Sequence, residues 1–235
     1  MITATAVKSI RELKNRHQGE TIWIVGSGAS LNFVDRAFFN DKTTVLVNET
    51  YREWRVDPKR GTSYAFAHHR ETAQEGIDRG LHVIAAEYNR CDRADGKNDL
   101  CGQWYMYKHP QQPSTLVMDM TPFEQDDDEA LCVGSNTVTS AMDFAGRILG
   151  ASALILCGVD SGTIDGRINY NDYNGGVEVA FEEQQTLGGT GRPHVRAQLA
   201  LLGTVTRALR ARRIGVHSLN PFLDLGLERH NFSRL

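Results

Sequence analysis

Several things are missing from this chain of 235 residues. No apolar run approaches the roughly 18 residues of a membrane span. The amino-terminal stretch MITATAVKSIRELKNRHQGE is polar and mixed in charge, which is not the pattern of a secretory signal. Only four cysteines occur, Cys91, Cys101, Cys132 and Cys157. They form no CxxC and have no histidine at zinc-ligand spacing, so a structural zinc module is not indicated. Cys157 lies in the apolar run ALILCG and reads as a small core residue. Cys91 and Cys101 bracket a polar loop, where they either pair or stay free; reduced thiols in a cytoplasm are the plainer expectation. A formal net charge of −3 excludes a uniformly basic nucleic-acid surface but not a local patch. There is no internal repeat, no low-complexity linker, no full G-x-G-x-x-G and no Gly-Lys-Ser/Thr loop. The length suits one large α/β domain over 1–235.

What is present is organised around Thr21 to Leu31, TIWIVGSGASL. An apolar run with β-branched members breaks into Gly26-Ser27-Gly28-Ala29-Ser30, the pattern of a buried parallel strand and a tight turn. Glycines there allow close approach of backbone or ligand. Exposed N–H groups in such a turn cradle phosphates, and Ser30 is placed to cap a helix from about Leu31 to Phe39. The stretch fits a phosphate cradle and a plain strand-to-helix turn equally well.

Further along, Val7, Ile10 and Leu13 keep helical spacing, so Val7 to His17 is expected to be a short amphipathic helix. Thr43–Asn48, Ser63–Ala67, Leu81–Ala86, Ala153–Gly158 and Ile214–Ser218 read as strands. Glu71–Gly80, Gly134–Gly150 and Pro193–Arg213 read as helices, with Ser135 or Asn136 capping the second. Strands alternating with helices predict a doubly wound, mostly parallel Rossmann-like sheet. Residues 87–130 read as an irregular, partly stranded insertion over the sheet. The glycine-rich stretch 161–191 reads as a flexible lid. In open α/β sheets ligands gather at the carboxyl ends of strands. Asn48, Asp160 and the loop after Val25 all fall there, which predicts a small-molecule site. His68 and His69 end another strand at the same edge. Arg207, Arg210, Arg212 and Arg213 suit a helix carboxyl terminus better than a nucleic-acid patch. The acidic run from Asp126 to Glu129 is the place to look for a metal, although solvated carboxylates are the plainer reading.

The ordered set IVGSGASL, VLVNETY, GSNTVTSAMDFAGRILGASALILCGVD, RPH and HSLNP resembles bacterial sialyltransferases that use a cytidine-monophosphate-activated sugar. It is also similar to the related motility-accessory glycosyltransferases, the pterin pyrophosphokinase-like group and small phage-encoded proteins. The resemblance implies that Gly26, Ser27 and Gly28 lie against the donor phosphate, with Ser27 where the family commonly has Asn. It implies that Asn48 holds the nucleotide and that Ser135, Asn136 and Thr137 add to its pocket. His194 falls at the place of the general base on the acceptor hydroxyl, a role a neutral imidazole suits near pH 7. Gly162 stands where the family has a lid tyrosine, leaving Tyr170, Tyr173 or an arginine such as Arg192 to stabilise the departing phosphate.

The expected activity is therefore a nucleotide-sugar-dependent glycosyltransferase. The nucleotide sugar is a co-substrate, and since no DxD motif appears at a strand end, no obligatory metal is expected. The acceptor presents a free hydroxyl, whether on a glycan, a lipid-linked glycan, a protein or a hydroxymethylated DNA base. Two alternatives stay open: a pterin pyrophosphokinase-like enzyme using Mg²⁺ and ATP, and a nucleotide-binding module without catalysis.

Overall fold

The computed structural model describes residues 6–54, 57, 59–87, 99–108, 119–133, 137–160, 169–170 and 191–220, the side chains of 6 and 191–200 excepted. Its centre is a single eight-stranded sheet in the order β1-β6-β5-β4-β3-β2-β7-β8, with every pairing parallel. The strands are β1 (Ala6–Ser9), β2 (Thr21–Val25), β3 (Thr43–Val47), β4 (Thr62–Ala67), β5 (His82–Ala86), β6 (Gln103–Tyr107), β7 (Ala153–Cys157) and β8 (Gly215–Ser218). The helices are α1 (Tyr51–Trp54), α2 (Arg70–Asp78), α3 (Thr121–Glu124), α4 (Thr137–Asp143) and α5 (Gly191–Ala211). The fold is thus the expected α/β Rossmann-like class. No helix among the described residues is long and apolar enough to cross a membrane.

Near-continuous apolar strands follow from burial on both faces. Along β3, Val45 and Val47 enter one core and Leu46 the other. The first core joins alternate residues of β2 to β8 to Met142, Phe144 and Ile148 and to Leu202, Val205 and Leu209 of α5. The second joins the remaining strand residues to Leu31, Phe39, Tyr51, Trp54 and Ala73. The segments packed after β2, β3 and β4 therefore lie on one face, and the helices α4 and α5 that flank β7 in the chain lie on the other. The order reverses between β2 and β7, and that boundary is the topological switch point.

Four local expectations are corrected. Val7 to His17 is not a helix: Ala6–Ser9 is a strand on β6, followed by a 3₁₀ turn Ile10–Leu13 capped by the Ser9 side chain. The apolar spacing came from Ile10 and Leu13 alone, since Val7 is 47% exposed. Residues 31–39 do not form one helix. They fold as two 3₁₀ segments, Ala29–Phe33 and Arg36–Phe39, the second capped by Asp35 Oδ1 on Ala37 N–H (2.7 Å). Gly28, not Ser30, stands at the first cap. Within 87–130, β6 lies in the sheet between β5 and β1 rather than over it. Trp104 and Tyr105 turn to opposite cores, which explains the aromatic run.

The helix expected from Gly134 begins, among the described residues, at Thr137 and passes into a π-turn at Phe144–Ile148. Gly146 is where it meets α5, since a Cβ there would lie 2.5 Å from Leu209 Cδ2.

Candidate functional site

Three segments meet at the switch point. Gly26 N–H donates to Cys157 O (2.8 Å) and Gly28 N–H to Gly158 O (2.7 Å), so the β2–β7 ladder continues past both strands. Such proximity requires glycine. A Cβ at Gly26 would lie 2.5 Å from Gly158 O, and one at Gly158, whose φ is +59°, would lie 2.6 Å from Gly26 O. Ser30 N–H then donates to Asp160 Oδ2 (2.7 Å), while Asp160 Oδ1 accepts from Asn220 Nδ2 (2.8 Å). The third segment is Asn169–Tyr170. Asn169 bridges Gly28, Tyr170 N–H donates to Ser27 O (3.0 Å), and Ser27 Oγ donates to Asn169 Oδ1 (3.0 Å).

Asn48 ends β3 at the same edge. Its backbone is left-handed, with φ +54°, a conformation asparagine tolerates better than most residues. Its Oδ1 is buried without a hydrogen-bond partner among the described residues. Trp54 Nε1, one short turn further on, is likewise buried and unpaired. The Trp54 ring meets Tyr170 edge-on at 6.0 Å between centroids. Tyr170 is only 4% exposed and belongs to the second core. Next along the edge, at the end of β4, are His68, half-buried, and His69, exposed, with ring centroids 5.8 Å apart. Glu49 Oε1 accepts from Thr72 Oγ1 (2.8 Å).

The structure therefore brings Gly26, Ser27, Gly28, Ser30, Asn48, Asp160 and Tyr170 to one edge. Thr137 is half-buried at the start of α4. Arg192 and His194 lie in the first turn of α5, with their side chains outside the described residues. Ser135, Asn136, Tyr173 and Cys91 also lie outside them, as does the expected lid apart from 169–170.

Sequence reasoning missed Asn169 and Trp54 as parts of this edge, and gave Asn220 no role of its own. Asn220 lies two residues past the last strand, just before Pro221, a signal that was available; the other two depend on tertiary contacts.

The remaining candidates are tied into the fold. Asp126 pairs with Arg212 (2.6 Å), Asp128 with Lys14, and Asp127 Oδ1 accepts from Glu129 N–H (2.9 Å). The neighbouring Arg212 guanidinium holds the Asp126 carboxyl below its usual range. Among the described residues no His, Cys, Asp or Glu side chains gather in threes around a metal position. Arg212 also donates to Phe123 O (2.7 Å) and Arg210 to Val216 O (2.7 Å), so both are tied to neighbouring elements. Cys101, Cys132 and Cys157 are free thiols, and burial pushes Cys157 up to about 12.

Comparison with family models, with curated proteins and with solved structures finds no match to this chain.

Proposed function

We propose that this protein is a nucleotide-sugar-dependent glycosyltransferase of the sialyltransferase-like kind, with the nucleotide seated at the carboxyl edge of the sheet around Asn48. Asn48 carries the reading. A residue held in a strained backbone region at a central strand end, with a buried amide oxygen unpaired among the described residues, is costly unless something else uses it. Ser27, Asp160 and Asn220 line the adjacent switch point, where α/β sheets take ligands. His194, in the first turn of α5, is the general base toward an acceptor hydroxyl. Arg192, with Tyr170 or Tyr173, stabilises charge on the leaving phosphate. Nucleotide sugars as donors imply a cytoplasmic setting.

Two measurements on one variant test the reading. His194→Ala is expected to lower sugar transfer by roughly two to four orders of magnitude while leaving donor affinity, read by calorimetry, unchanged. The wild-type rate should rise with pH through the imidazole pKa and then level off. Donor binding by the wild type without transfer to any hydroxyl acceptor would favour the non-catalytic module. Failure to bind any nucleotide or nucleotide sugar would end both readings.

A further inference from the structure

The turn after β2 already holds an anion. Its alternate N–H groups, those of Gly26 and Gly28, donate to the backbone carbonyls of Cys157 and Gly158. Ser30 N–H, next in the series, meets a side chain instead, Asp160 Oδ2 at 2.7 Å, the length of a charge-assisted bond. The other oxygen, Oδ1, takes Asn220 Nδ2 at 2.8 Å. One carboxylate thus joins its own strand, β7, to the ends of β2 and β8. Gly28 is cut to the same shape: a Cβ there would lie 2.6 Å from Asp160 Cγ and 2.7 Å from Gly158 O, with Asp160 Oδ2 nearer still.

We infer that Asp160 is the resident anion of the glycine turn, a positioning residue whose carboxylate takes the place that the family resemblance gives to a donor phosphate. The amides at 26, 28 and 30 are committed within the chain, and a nucleotide bound at this edge is held by other groups. The inference stands apart from the transferase proposal, which rests on Asn48.

Exogenous-anion rescue tests it without any substrate. Asp160→Ala should lower the thermal midpoint by roughly 5 °C or more, because a charge-assisted pair of bonds is lost in a chain of this size. Formate at tens of millimolar should recover at least half of that loss, sodium chloride at equal ionic strength should not, and the wild type should respond equally to both salts. Formate acting no better than chloride on the variant, or equally on the wild type, overturns the inference. If Asp160→Ala folds only with formate present, the same conclusion holds in stronger form. If it folds in neither salt, Asp160→Asn decides. That variant has the same shape without the charge: a midpoint several degrees below wild type supports the resident anion, and a wild-type midpoint overturns it.

Discussion

Both edges of the sheet carry buried polar residues, and they handle some of them differently. At the amino edge, His17 is 7% exposed and Tyr64 fully buried, yet each has its partner. Glu20 Oε2 accepts from His17 Nδ1–H (2.9 Å) and from Thr43 Oγ1 (3.0 Å). Because an ionised carboxylate only accepts, Nδ1 carries the hydrogen toward Glu20, and Nε2 pairs with the Tyr64 hydroxyl and its proton (2.9 Å). Burial pushes the Tyr64 phenol up to about 12, which keeps that proton in place. Nearby, Asp143 and Arg147 form a buried pair (2.8 Å) whose remaining valences go to Cys132 N–H and to the carbonyls of Asp127 and Ala130. At the carboxyl edge, Asn48 Oδ1 and Trp54 Nε1 are buried with nothing to bond among the described residues. Such atoms are not confined to this edge: Trp104 Nε1 and Thr206 Oγ1 are also buried without a partner among the described residues.

The largest expected effect is on the closed network. Arg147→Ala should cost about 3–5 kcal/mol in urea unfolding, since it leaves the Asp143 carboxylate buried and uncompensated. A loss below about 1 kcal/mol would mean that the amino edge is not closed. Gly28→Val comes next. The added atoms meet Asp160 and Gly158 rather than empty space, so the variant should lose about 1–3 kcal/mol of stability, whatever happens to nucleotide affinity. A fully stable Gly28→Val would break the clasp described for that turn. Tyr64→Phe should cost about 1–3 kcal/mol by orphaning His17 Nε2.

Asn48→Gly sharpens the contrast from the other side. Glycine accepts φ +54° and no side-chain hydrogen bond among the described residues is lost, so stability should stay within about 0.5 kcal/mol while nucleotide affinity falls at least tenfold. A destabilised Asn48→Gly would move that residue to the structural side. The smallest effect is a slope. Burial first, then Arg16, Lys8 and His17, hold the half-buried His82 below its ordinary 6.5. The unfolded chain therefore takes up a proton before the folded one. The contribution is intact above pH 6.5 and is lost as pH falls from there through the folded-state value. His82→Gln should flatten the stability profile in that window, and an unchanged slope would assign it to other groups.

Most of the sheet was legible because β2, β3, β4, β5 and β7 are buried on both faces and so carry unbroken apolar runs. The edge strand β1 was not. Ala6–Ser9 is short and polar, and the spacing of Ile10 and Leu13 beyond it imitates a helix. QWYMY of β6 sits between polar stretches that hide its membership in the sheet. At the site, Asn48 and Asp160 were found by their places after strands. The use of Asp160 was not, because its partners Ser30 and Asn220 lie 130 and 60 residues away. A phosphate-binding turn and a turn that binds its own carboxylate share one glycine pattern, since both need small residues for close approach.

The strand order also sets a timetable. β2 is bounded by β3, which follows it closely, and by β7, whose Ala153 pairs with Thr21 across about 130 residues of chain. On a ribosome adding about 5–20 residues per second, Ile22 to Val25 would present a bare edge for roughly 7–26 s before that partner exists. Such an edge is a template for wrong pairing. Long-range parallel pairing is also slow once the chain is complete. Chaperone demand, inclusion-body formation and rescue by lower growth temperature are therefore expected outcomes of where β7 falls in the chain, to be checked by soluble yield at two growth temperatures.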